Sequence, residues 1–104
     1  MKKIVNITPH VIRMNDGREF PPSGTVARVS TQYSHIIDDV ATVTFGEIQG
    51  MPEPQDDTVY IASAIVAKAA QMNGRKDVFS PATNHPQAVR KDGQVWSVPC
   101  FCRE

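Results

Sequence analysis

Thr58-Val59-Tyr60-Ile61-Ala62-Ser63-Ala64-Ile65-Val66-Ala67-Lys68-Ala69-Ala70-Gln71-Met72-Asn73-Gly74 passes from a short apolar strand to a helix, and that passage decides the fold class. Residues 58–61 form an uninterrupted β-prone run. Ser63 then offers a hydroxyl to cap the first helical turn. Ile65, Val66, Ala69 and Met72 form an apolar stripe that suits one face laid on a sheet. Lys68 and Gln71 fall on the water side, and Asn73-Gly74 supplies a C-terminal stop. The helix is predicted over about 62–73. Its many alanines let it lie close to whatever it packs on.

On either side of this helix the chain reads as strands and turns, 3–8 first among them. Asn6, Thr8 and His10 lie two apart, so an extended chain puts them on one face. Residues 11–14 continue as a strand, and Asn15-Asp16-Gly17 turns it back on 18–20 as a short hairpin. After the break at Pro21-Pro22-Ser23-Gly24, residues 25–33 and 40–45 alternate as half-buried strands. Residues 34–39 read as a loop. Residues 46–55, interrupted by Gly50, Pro52 and Pro54, read as an irregular connection. Asp92-Gly93 joins 88–91 to 94–97 in a second hairpin, and 98–103 extends the last strand. The prediction is an α+β fold, mainly antiparallel β-sheet with one central helix packed on it, in a single domain over residues 1–104.

Composition narrows the function classes. There are 11 basic and 11 acidic residues, a formal net charge of zero. A general nucleic-acid binder carries a basic excess, so that class is disfavoured. No apolar run is long enough to span a membrane. Met1-Lys2-Lys3-Ile4 lacks the apolar core of a signal peptide, so a cytoplasmic location is expected. Cys100 and Cys102 share one face of a strand, but two thiols do not make a zinc site. The histidines stand at 10, 35 and 85. No metal and no cofactor are expected. The acidic residues Glu47, Glu53, Asp56 and Asp57 read as a solvated edge. P-loop, dinucleotide-binding, zinc-protease and nucleophile-elbow patterns do not occur.

The candidate binding residues lie elsewhere. Thr83-Asn84-His85-Pro86-Gln87-Ala88-Val89-Arg90 packs an amide, an imidazole and a guanidinium into a few residues. Pro86 fixes its own φ and biases His85 towards an extended, stiff loop. Asn84 and His85 there serve either a ligand or the turn's own backbone. Arg28 lies inside an apolar, β-branched run, either snorkelling to solvent or aimed at an anion. Phe101 and Arg103 share a face and offer a stacking ring beside a charge; Trp96 is the alternative ring. His10 either binds ligand or bonds the backbone beside it.

Several blocks resemble small proteins of tailed phages and prophages. They are Asn6-x-Thr8-Pro9-His10, Pro22-Ser23-Gly24-Thr25-Val26-Ala27-Arg28-Val29, Thr44-Phe45-Gly46-Glu47-Ile48-x-Gly50-Met51-Pro52-Glu53-Pro54, Tyr60-Ile61-x-Ser63 and Asn84-His85-Pro86-x-Ala88-Val89-Arg90. Within that group the chain is similar to the Thoeris anti-defence sponges of the first type. The resemblance implies a small β-rich homo-oligomer that sequesters a bacterial immune signal, a cyclic ADP-ribose isomer or a cyclic oligonucleotide, without catalysis. It also implies a pocket of arginines, an asparagine and an apolar or aromatic side chain. Arg28, Asn84, Phe101 and Arg103 could supply that set; His85 and Arg90 join it from the residues alone. Two other classes stay open. One is a phage inhibitor that binds a host defence protein directly. The other is a small hydrolase using His10, His85 and a carboxylate such as Asp92.

Overall fold

The computed structural model describes residues 3–103. Its centre is a four-stranded sheet of β1 (Lys3–Asn6), β6 (Thr58–Ile61), β7 (Val78–Pro81) and β10 (Phe101–Cys102), in the order β1-β6-β7-β10. The first three strands run parallel, and β10 closes the edge antiparallel to β7. The one helix among the described residues, α1 (Ala64–Met72), is the crossover from β6 to β7. Parallel neighbours require such a connection, since a tight turn cannot join them.

Three antiparallel pairs surround this sheet. They are β2 (Ile12–Arg13) with β3 (Glu19–Phe20), β4 (Arg28–Tyr33) with β5 (Val43–Gln49), and β8 (Val89–Lys91) with β9 (Gln94–Ser97). The fold is α+β with one helix packed on sheet, as the sequence predicts. The helix begins where Ser63 Oγ accepts from Val66 N at 3.3 Å and stops at Asn73-Gly74. No helix among the described residues is long and apolar enough to cross a membrane.

Alternate residues of the central strands feed two clusters. Tyr60 and Val78 face α1, where Val66, Ala67 and Ala70 meet Ile7, Ala27 and Ala62. Ile61 packs the other way, with Ile12, Met14 and Val98, and Phe20, Phe79 and Phe101 close around them. A sheet covered on both faces wants apolar side chains at consecutive positions. The run Val59-Tyr60-Ile61-Ala62 meets that demand, and its lack of alternation is the mark of a covered strand.

Both short hairpins form as expected. Asp92 and Gly93 take positive φ of 53° and 79° between β8 and β9, the geometry of a two-residue type I′ turn. The ribbon β4–β5 departs from expectation. Its strand β5 continues through Gly46 to Gln49, where the sequence predicts an irregular connection from residue 46. The cause is a register shift between Val29 and Thr31. A Cβ at position 46 would lie 2.6 Å from Ser30 Oγ, so Gly46 permits the close approach of two strands instead of ending one. Strand β4 begins at Arg28, later than residue 25, and β1 ends at Asn6, before Thr8.

Candidate functional site

Asn6 ends β1 and organises the turn that leads into β2. It is 2% exposed. Its amide nitrogen donates to the carbonyls of His10 and Phe20 at 2.7 and 2.9 Å. Its Oδ1 accepts from Thr8 N and Thr8 Oγ1 at 2.9 and 2.7 Å. The chain is thus folded sharply through Pro9 and delivered into β2. From β2, Arg13 O accepts from Val98 N at 2.9 Å, so β2 is tied to the segment after β9. Ala27 N donates to Ile7 O at 3.1 Å and brings the start of β4 alongside.

These ties surround a cavity of about 650 Å³. Its walls bring together His10 and Arg13 from the 7–13 stretch, Arg28 from β4 and Trp96 from β9. Ser63, at the start of α1, and Thr83 add hydroxyls, and Ile7, Val26, Val66 and Val98 supply much of the apolar lining. Among the described residues no aspartate or glutamate lines it, although Glu19 Oε1 lies 3.8 Å from Arg13 Nε. The Arg13 guanidinium lies 4.0 Å from the Trp96 ring centroid, and Lys91 Nζ lies 4.1 Å from the same ring. Trp96 is 43% exposed. The volume falls in the range of small-molecule sites, as does the mix of apolar walls with a few polar groups.

The six residues singled out from the sequence do not converge. Arg28 lines the cavity. Asn84 and His85 are exposed on the neighbouring 82–88 loop, whose Thr83 reaches the cavity wall. His85 is engaged locally: its Nδ1 accepts from Gln87 N at 3.0 Å and its backbone N–H donates to Ala82 O at 3.2 Å. Arg90 donates to Thr83 O at 3.3 Å and holds that loop against β8. Phe101 belongs to the core, 5.8 Å from the Phe20 ring. Arg103 lies 5.3 Å over Phe79 in a second, smaller cleft of about 410 Å³ with Arg75 and Asp77.

His10 lines the cavity and His85 does not. Arg13 is not among the six, although its signal matches that of Arg28: a lone guanidinium within an apolar strand run, Val11-Ile12-Arg13-Met14. Among the described residues no group of three or more His, Cys, Asp or Glu side chains could hold a metal ion. Cys100 is exposed, and Cys102 is half-buried with its sulfur 3.4 Å from Ser80 Oγ. In comparison with known proteins, no family model, no curated protein and no solved structure matches this chain.

Proposed function

We propose that this protein is a phage-encoded anti-defence binder that sequesters a bacterial immune signalling nucleotide without changing it. The ligand is a cyclic ADP-ribose isomer or a cyclic oligonucleotide, and the protein works as a homo-oligomer in the cytoplasm of the infected host. The observation that carries the reading is the cavity whose described lining holds two guanidiniums, an indole and hydroxyl groups but no carboxylate. A signal of this class presents phosphates, ribose hydroxyls and a base. Arginine grips phosphate with two parallel charge-assisted bonds and stays charged at any relevant pH. A tryptophan face stacks a base for about 1–3 kcal/mol once Arg13 or Lys91 swings off the Trp96 ring towards phosphate. Thr83 and Ser63 can meet ribose hydroxyls.

A second observation supports it. Thr8, Pro9 and His10, residues 26–29, and Ser63 all border the cavity. These belong to three of the blocks that carry the resemblance to phage proteins. Sequestration needs only affinity, so the site requires no nucleophile and no metal.

The test is a thermal-shift panel of cyclic di- and trinucleotides and ADP-ribose species. At a ligand concentration 100 times Kd, binding adds about 2.7 kcal/mol to the native state. For a domain of this size that raises Tm by roughly ten degrees or more. The shift is lost in Arg13→Ala and Arg28→Ala, and the ligand is recovered intact after denaturation. A flat panel with folded protein overturns the proposal; a cleaved ligand replaces it with a hydrolase.

A further inference from the structure

The ribbon β4–β5 is two-faced. Residues directly opposite in an antiparallel pair share a face. The pairs Val29 with Ile48, Thr31 with Phe45 and Tyr33 with Val43 therefore line one side. Gln32 with Thr44 lies on the other. At its base the apolar side is used: Val29 and Ile48 pack on the core beside α1. Further out it is bare. Tyr33 is 69% exposed and Val43 49%, and at the tip Ile36, Ile37 and Val40 are 75%, 70% and 66% exposed. The tip is nonetheless built, since Ile37 and Val40 exchange backbone hydrogen bonds at 2.9 Å across Asp38-Asp39. The overhang also shows in the dimensions. The radius of gyration is 15.1 Å, against about 13 Å for a compact chain of this length.

We infer that this ribbon joins two copies of the chain, apolar face on apolar face about a two-fold axis. Three features favour a second copy. First, the patch supplies about two thirds of the apolar area that one partner brings to a standard dimer contact. An aliphatic side chain carries roughly 60–120 Å² of apolar surface and a tyrosine about 150–250 Å². At the exposures above, Tyr33, Ile37, Val40 and Val43 offer roughly 300 Å² per copy. A standard interface takes about 800 Å² per partner, of which somewhat over half is apolar. Second, the bare face continues the face already packed on the core, so a two-fold contact extends one apolar layer through both molecules. Third, apart from the register shift between Val29 and Thr31 at its base, the ribbon lacks the devices that keep strand edges apart. Residues 29–45 contain no lysine, arginine or proline, and their only formal charges are Asp38 and Asp39 at the turn. Solitary edges usually carry such guards. Strand β4 starts at Arg28, so the contact would also fix the strand that brings this arginine to the cavity. The inference extends the oligomeric part of the function proposed above and does not depend on the ligand.

The test is the solution mass by light scattering, for the wild type and for Val43→Lys and Ile37→Asp. Circular dichroism and melting are measured in parallel. Wild type is expected at twice the chain mass at micromolar concentration, and both variants at the single mass with an unchanged spectrum. Ile37 sits on the turn away from both core clusters, so it reports even if Val43→Lys fails to fold. In the wild type, amide exchange over residues 30–44 should slow as concentration rises. A wild-type oligomer that survives both substitutions overturns the inference and leaves the oligomer built elsewhere. A wild-type monomer with concentration-independent exchange overturns both and turns the ribbon towards a host protein. Ligand-induced thermal shifts in the variants read the cavity separately.

Discussion

Asn6→Ala should be the most damaging single substitution outside the apolar core. Asn6 is buried and makes four side-chain hydrogen bonds, two accepted and two donated. An alanine leaves Thr8 N without that acceptor in a buried setting, while Thr8 Oγ1 still has His10 O at 3.1 Å. It also frees the carbonyls of His10 and Phe20, which water can reach more readily because His10 is exposed and Phe20 half-buried. A buried polar group left unpaired costs about 1–3 kcal/mol. Counting Thr8 N fully and the two carbonyls in part gives about 3 kcal/mol. At about 4–8 °C per kcal/mol for a domain of this size, Tm should fall by roughly 12–24 °C. Urea unfolding is the direct assay, with the midpoint lowered and the slope unchanged. Asn6→Asp separates hydrogen bonding from packing. It keeps the acceptor for Thr8 but loses both donors and sets a carboxylate against two carbonyl oxygens. Protonation gives one donor back, so its gap to wild type should narrow as pH falls. An Asn6→Ala cost below about 1 kcal/mol would refute the claim that this amide holds the turn into β2.

Three further outcomes are expected. Hydrogen bonds from the Arg75 guanidinium hold the Asp77 carboxyl below its ordinary value of 3.8. This depressed folded-state value makes the contribution full above pH 3.8 and lost as pH falls through the folded value. Asp77→Asn should thus cost about 1–2 kcal/mol at neutral pH and nothing in strong acid, read from denaturation at several pH values. Gly50 has φ of +78°, and a Cβ there would lie 2.5 Å from Val26 O; Gly50→Ala should lose about 2 kcal/mol or more in a thermal melt. In the binding panel, Trp96→Ala should weaken affinity about tenfold or more, whereas Arg103→Ala, in the second cleft, should leave it unchanged.

What could be read in advance was local. The cap at Ser63, the stop at Asn73-Gly74 and the turn at Asp92-Gly93 are each set by the backbone needs of one or two residues, and each forms where the sequence places it. Parallel pairing is a different matter. Lys3–Asn6 meets Thr58–Ile61 across more than fifty residues of chain, and no short-range signal records a partner at that distance. Asn15 shows the same limit on a smaller scale. Its sequence context is a turn, and it does turn the chain. Yet its side chain also donates to Gln87 O and accepts from Ser97 Oγ, at 2.8 and 2.6 Å.

The site depends on this difference. Residue type alone marks Arg28, because a guanidinium in an apolar strand run has to be aimed somewhere. The same reasoning applies to Arg13. Phe101 and Arg103 look equally suited to a ligand, being a ring and a charge two residues apart. Their fate is decided by what lies beside β10. Phe101 meets Phe20 in the core, and Arg103 is drawn over Phe79. The indole that lines the cavity instead comes from β9, the strand tied next to β2 through Val98 and Arg13. Three of the four polar or aromatic walls that matter, His10, Arg13 and Trp96, depend on the two ends of that tie. A double substitution should therefore be non-additive. Once Asn6→Ala has loosened the turn into β2, removing the Arg13 guanidinium should cost less affinity than it does in the wild type. Equal losses in the two backgrounds would mean that Arg13 holds its place independently of the Asn6 turn.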